Sequence, residues 1–271
     1  MLAGAMKGWL VGLALTAVIV ASGVGLWITW DATQPTPADT VAASADRLVT
    51  PTTAALAPIT TTTTLPLPDC TPGDEMVADD PEADWATVVV DRAHRLPEDY
   101  VPPDLVEVVE AGFETRDQVR RIVIDDLAAL RTAAAANDTP IVVISGYRSF
   151  SYQRQLFQER VDLVGEEAAA ASIARPGHSE HQLGTVVDVL GPEGGELTTD
   201  FGATPAGEWL EAHAHEFGFI ISYPDGGGDL TCFDYEPWHL RYVGRDIAVE
   251  IVDSGLAPRE WMLARRAAEA G

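Results

Sequence analysis

At 271 residues, with 42 acidic residues against 17 basic ones and a formal net charge of −25, the chain is long enough for one well-buried domain with appendages and too short for two full enzymatic domains plus linkers. So large an acidic excess repels a polyanion over most of the surface, which excludes nucleic acid as a partner. The dispersed carboxylates keep the surface solvated and by themselves name no partner.

The first element is WLVGLALTAVIVASGVGLWITW, Trp9 to Trp30, which carries no charge and is long enough to cross the roughly 30 Å of a bilayer's hydrocarbon as a helix. Lys7 precedes it, Asp31 follows it, and Trp9, Trp27 and Trp30 stand where interfacial aromatics belong, so the positive-inside rule puts the N-terminus in the cytoplasm and the remainder outside. A signal peptide cut near Ala21 and Ser22 is the competing reading, but the apolar run continues past that point, and both readings export the rest of the chain. Residues 1–30 are therefore expected to be a cytoplasmic end and transmembrane signal-anchor. Residues 31–82, which include TPTTAALAPITTTTTLPLP, are expected to be a Thr/Pro/Ala-rich extracytoplasmic linker, semi-rigid enough to hold the folded part away from the bilayer.

Residues 83–271 form the expected folded domain. WATVVVD, from Trp85, reads as a strand, and the prolines of LPEDYVPPDLV dictate an extended, wrapping segment. From Thr115 to Asn137 the apolar residues Val119, Ile122, Val123, Leu127 and Leu130 recur at helical spacing, which predicts one long helix ended by Asn137 and Pro140. IVVIS, 141–145, reads as a short buried strand, followed by a helix through SYQRQLFQERVDLVG with Ser149 or Ser151 as N-cap. GTVVDVL, 184–190, is strand-like, Pro205 to Phe217 helical, GFIISYP and EPWHLRYVG strand-like, and Ala257 to Ala270 a terminal helix. With no regular βαβ repeat, the expected class is α+β, a mostly antiparallel sheet covered by helices. Cys70 and Cys232, an even count in an exported chain, are expected to form a disulfide.

Zinc catalysis needs about three nitrogen or oxygen ligands, an open position for water and a nearby carboxylate to take that water's proton. In GHSEHQLGTVVD, His181 and Asp188 are separated by a glycine turn at Gly184 and the start of a strand, and EPWH brings Glu236 and His239. His181, Asp188 and His239 make a two-histidine, one-carboxylate set, with Glu236 free to act as base toward water polarised by Zn2+ and then to return the proton to the departing amine. His178 reaches that set only from an unusual turn and is read as a neighbour of the ligands or an exposed residue. Trp238 reads as a substrate-facing wall or as core.

At these residues the chain resembles the zinc D-alanyl-D-alanine carboxypeptidase and dipeptidase family, in its VanY-like branch. That family carries Ser-x-His-x-x-Gly-x-Ala-x-Asp and a later Glu-x-x-His. Here the first is Ser179, His181, Gly184, Val186 and Asp188, with Val in place of Ala, and the second is Glu236 and His239. The resemblance runs back through SGYRSFSYQRQLF and LPEDYVPPDL. It implies that Arg148 contacts substrate and steadies charge on the carbonyl oxygen, a task suited to a permanently charged guanidinium. It also implies that Ser179 and Gln153 hold the substrate's terminal carboxylate or backbone.

The function so implied is hydrolysis of the terminal D-Ala-D-Ala bond of peptidoglycan stem peptides by a single-pass protein of the bacterial cell membrane, its catalytic domain extracytoplasmic. A monomer is expected, since nothing demands a dimer. An endopeptidase of the same fold and an inactive wall-binding module stay open as alternatives, although retention of Glu236 argues against the second. Calcium binding would need a dense Asp-rich loop, which the sequence lacks.

Overall fold

A computed structural model of the chain describes residues 70–77 and 79–269. The anchor expected at 9–30 and most of the linker lie outside the described residues, and among the described residues no helix is long and apolar enough to cross a membrane.

In chain order the strands are β1 (Glu75–Met76), β2 (His94–Arg95), β3 (Leu105–Glu107) and β4 (Gln118–Arg120). Helix α1 (Ile124–Ala136), β5 (Val142–Ser145), α2 (Phe150–Val164) and α3 (Glu166–Ser172) follow. Then come β6 (Val186–Leu190), α4 (Pro205–His213), β7 (Phe219–Ile221), the short α5 (Gly228–Thr231), β8 (His239–Tyr242), α6 (Arg245–Ser254) and α7 (Pro258–Glu269). The central sheet is antiparallel with order β5-β6-β8-β7, and β1-β2 and β3-β4 are separate two-stranded ribbons. The α+β class is thus observed.

Alternation along the central strands decides which side chains face which layer. Val187 and Val189 of β6, with Leu240 and Tyr242 of β8, enter the main core, where Leu127 and Leu130 of α1, Leu210 of α4 and Phe219 meet them. Burying each such side chain stabilises the fold by about 1.5–3 kcal/mol. On the opposite face of the same strands, Asp188, His239 and Arg241 are buried without being apolar. A second apolar cluster joins Ile220 and Val243 to Ala248 and Ile251 of α6 and Trp261 and Met262 of α7.

Two expected elements differ. Val119 and Arg120 lie in β4, paired with Val106 and Leu105, so the helix begins only at Ile124; the ribbon with β3 outcompetes the helical period over the first residues. Residues 85–91 are not a strand. A turn closes on Asp84, and the carbonyls of Trp85, Ala86 and Val88 accept from the Arg241 guanidinium instead of from a neighbouring strand. Ser149 is the N-cap of α2, accepting from the Tyr152 amide at 3.2 Å. Helices α3, α5 and α6 were not anticipated. Cys70 and Cys232 are bonded, with Cα atoms 5.1 Å apart, so the first described residues are tied to the loop that leads into Glu236.

Gly146, just beyond β5, is packed so closely that an added Cβ would lie 2.5 Å from the Gln118 carbonyl oxygen. Gly146→Ala is expected to lose about 1–3 kcal/mol through forced backbone movement, read by chemical denaturation; an unchanged unfolding midpoint would contradict the close approach. Asp91, buried, accepts from His94 and from Arg259 Nε at 2.7 Å. Burial alone would raise its carboxyl, but the His94 hydrogen bond and the Arg259 charge outweigh burial and hold it well below the ordinary carboxylate range. A lowered native pKa contributes stability that is fully present above the unfolded value near 4 and is lost as pH falls further. Unfolding free energy should therefore drop progressively below about pH 4, and Asp91→Asn should remove part of that drop; superimposable pH profiles would show that Asp91 does not supply it.

Candidate active site

The site is built where β6 and β8 pair. Their register sets Asp188 directly opposite His239, and Ser145 of β5 opposite Asp188, so both buried polar side chains rise from the same face. His181 arrives from the preceding 3-10 turn, Glu180–Leu183, which Gly184 closes at φ 72. A Cβ there would press on Arg120, Leu105 and Pro102 at 3.1 Å, so glycine both permits the turn and fits the space.

His181, Asp188 and His239 each offer one ligand atom, and these atoms lie within 4.8 Å of one another. His181 Nε2 stands 3.2 Å from Asp188 Oδ1, and His239 Nδ1 stands 3.4 Å from the same oxygen. The imidazole rings are 5.0 Å apart at 78° to each other. His181 Nε2 and Asp188 Oδ1 are buried without a hydrogen-bond partner, which is costly unless something else satisfies them. Two imidazole nitrogens and a carboxylate oxygen converging on one point, two of the three orphaned, fit a single divalent metal with a position left open.

Both histidines are held by their surroundings. His181 Nδ1 faces the Gly146 carbonyl oxygen at 2.7 Å, and the Arg148 amide donates to the His181 carbonyl at 3.2 Å. The His239 amide donates to the Glu236 carbonyl, and the Tyr223 ring packs against the imidazole at 4.7 Å. Burial and the nearby Arg148 charge push His181 down to about 4. Burial opposes ionisation of Asp188, yet the two imidazoles hold it well below the carboxylate range.

Glu236 Oε2 is 3.5 Å from His239 Nδ1, and its side chain keeps 27% exposure. Desolvation pushes its carboxyl up to about 7, with His239 pulling it down and the Asp188 charge pushing it up. A carboxyl beside the donor set is placed to accept a proton and give it back. Arg148 is half-buried, and its Nε has no hydrogen-bond partner.

The structure therefore brings His181, Asp188, His239 and Glu236 together, with Arg148 beside them. Ser179 and Gln153 are both buried. The Gln153 amide donates to the Ala174 carbonyl at 2.8 Å while its Oε1 has no partner. His178 is also buried, its two nitrogens on the Asp91 carbonyl and on Asp74, so it is neither exposed nor in the donor set. Val186 is fully buried, and Trp238 packs at the edge of the main core. Sequence reasoning missed Gly146 and the pair Glu180–Arg241. The alternation in HLRY, which puts Arg241 on the face of His239, was the available signal.

The family model described as VanY, D-alanyl-D-alanine carboxypeptidase, matches residues 116–245. The Putative carboxypeptidase YodJ of Bacillus subtilis is 41% identical over 178 residues, covering 64% of this chain and 65% of that protein. A D-alanyl-D-alanine carboxypeptidase of Enterococcus faecalis is 32% identical over 194 residues, covering 67% of this chain and 67% of that protein. The chain thus spans about two thirds of the length of these curated relatives. Among solved structures, the LdcB LD-carboxypeptidase is 36% identical with a TM-score of 0.63, covering 70% of this chain and 90% of that one. A mutant of the vancomycin resistance D,D-pentapeptidase VanY in complex with Zn(II) is 29% identical with a TM-score of 0.56, covering 66% of this chain and 99% of that one. The matched residues 116–245 include His181, Asp188, Glu236 and His239, and the chain belongs to the VanY family of D-alanyl-D-alanine carboxypeptidases.

Proposed function

We propose that the chain is a zinc-dependent carboxypeptidase that removes the terminal D-alanine from peptidoglycan stem peptides, acting outside the cytoplasmic membrane to which residues 9–30 hold it. The observation that carries this reading is the convergence of His181, Asp188 and His239 with two orphaned buried atoms, next to the Glu236 carboxyl 3.5 Å from His239. The Zn(II) in the VanY structure supports zinc as the metal.

Zinc bound by His181, Asp188 and His239 would supply a Lewis acid and an acidified water. Glu236 takes the proton of the attacking water and delivers it to the departing amine, so no covalent intermediate is needed. Arg148 supplies a fixed positive charge for the oxyanion that forms at the scissile carbonyl. Ser179 and Gln153 serve the substrate's carboxylate or backbone. Both are buried, so the substrate reaches in to them, and the unpartnered Gln153 Oε1, an acceptor, serves a backbone N–H of the substrate rather than its carboxylate.

A second reading within this reaction concerns the bond. The likeness to an LD-carboxypeptidase, 36% identical with a TM-score of 0.63, supports a tetrapeptide, in which D-alanine follows an L-centre, as a second substrate beside the D-Ala-D-Ala terminus that the family supports.

Mass spectrometry of muropeptide tetrapeptide and pentapeptide incubated with the full chain tests both. Loss of one D-alanine is expected, abolished by a chelator, restored by zinc, and reduced about 10²–10⁴-fold by Glu236→Ala. The peptide that is trimmed decides the bond. Internal cleavage would replace the reading by an endopeptidase, and intact peptides with a zinc-loaded chain would replace it by a binding module. Arg148→Met is expected to lower kcat with little change in metal content; full activity in that variant would remove Arg148 from the mechanism.

A further inference from the structure

His181 and His239 are backed by different chemistry. His181 faces a neutral group, the Gly146 carbonyl. His239 turns its Nε2 to the Glu180 carboxylate at 3.0 Å, while its Nδ1 points to Asp188 and Glu236 at 3.4 and 3.5 Å. Glu180 is buried, as is Arg241, whose Nη1 holds the other Glu180 oxygen at 2.5 Å. Arg241 Nη2 is anchored in turn on the Val88 carbonyl at 2.8 Å and on that of Trp85 at 3.2 Å. A chain of contacts therefore runs from the carbonyls of Trp85 and Val88, through a buried ion pair, to one ring of the donor set.

We infer that Glu180 is a positioning residue for the metal centre. It accepts from His239 Nε2–H, which fixes the tautomer and leaves Nδ1 as the ligand atom. Together with Tyr223 it sets the angle of the ring. A carboxylate behind a ligating imidazole also makes that imidazole the stronger donor, so His239, rather than His181, is the ligand whose basicity is tuned. Arg241 offsets the Glu180 charge and holds its oxygens in place, which a buried carboxylate requires. The inference rests on the zinc reading proposed above. Its competitor is a purely structural Glu180–Arg241 ion pair, for which the metal would be indifferent to the Glu180 charge.

The test compares the full chain with Glu180→Gln, which keeps the size and removes the charge. Zinc affinity is read by competition with a chromophoric chelator, the ligand field from the visible spectrum of the Co2+-loaded protein, and folding from circular dichroism. A folded Glu180→Gln that loses 10- to 100-fold in zinc affinity and shifts the Co2+ bands supports the inference. A folded Glu180→Gln with unchanged affinity and spectrum overturns it. Should that variant fail to fold, 15N-histidine spectra of the zinc-loaded wild-type chain decide. Metal on Nδ1 and a proton on Nε2 of His239 support the inference, and metal on Nε2 overturns it. A wild-type chain that binds no zinc overturns the proposed function itself, which separates that failure from this one.

Discussion

The pairing of β6 with β8 places Asp188 opposite His239, and the rest of the site is arranged around that register. Side chains alternate along a strand, so sliding one strand by a single residue would send Asp188 or His239 into the main core and bring a valine or leucine to the site. The register is protected by what lies on the other face. Val187, Val189, Leu240 and Tyr242 are buried against α1 and α4, and exposing them would cost several kcal/mol in total. Core packing and site geometry are thus two faces of the same two strands.

Burying so much charge in an acidic protein is unfavourable unless each charge is matched. Glu180 meets Arg241 and His239, and Asp91 meets Arg259 and His94. Both arginine pairs line one small cavity between residues 89–91, β8 and α7. The segment through residues 85–88 therefore does more than cover apolar surface: its carbonyls hold Arg241 of β8, the cation that lets Glu180 stand next to the donor set, while α7 brings Arg259 to Asp91. Among the unpartnered buried atoms of the described residues, His181 Nε2 and Asp188 Oδ1 belong to the donor set and Arg148 Nε lies beside it, which is where a ligand rather than the fold would satisfy them.

What could be read from the sequence follows from the range of the interactions involved. His181, Asp188, Glu236 and His239 stood out because two short segments each carry chemistry at fixed spacing, and β6 and β8 were legible as apolar alternations. Ser149 as N-cap and the Cys70–Cys232 bond rest on similarly simple rules. Residues 85–91 and 118–120 were misread because their backbone partners are distant in sequence. The Val88 carbonyl is satisfied by Arg241, and Val119 pairs with Val106. Glu180 was overlooked although it adjoins His181, because its role depends on His239 and Arg241, about sixty residues later in the chain. His178, left as a neighbour of the ligands or an exposed residue, is instead buried in contacts with Asp74 and the Asp91 carbonyl.

The central claim is that one strand register assembles a single metal centre from His181, Asp188 and His239. Zinc-edge X-ray absorption of the zinc-loaded full chain tests it most directly. The account predicts one zinc per chain with two imidazole ligands and light-atom neighbours at about 2.0–2.2 Å, including a position held by solvent. A shell without imidazole, or one closed by four protein ligands, would contradict it.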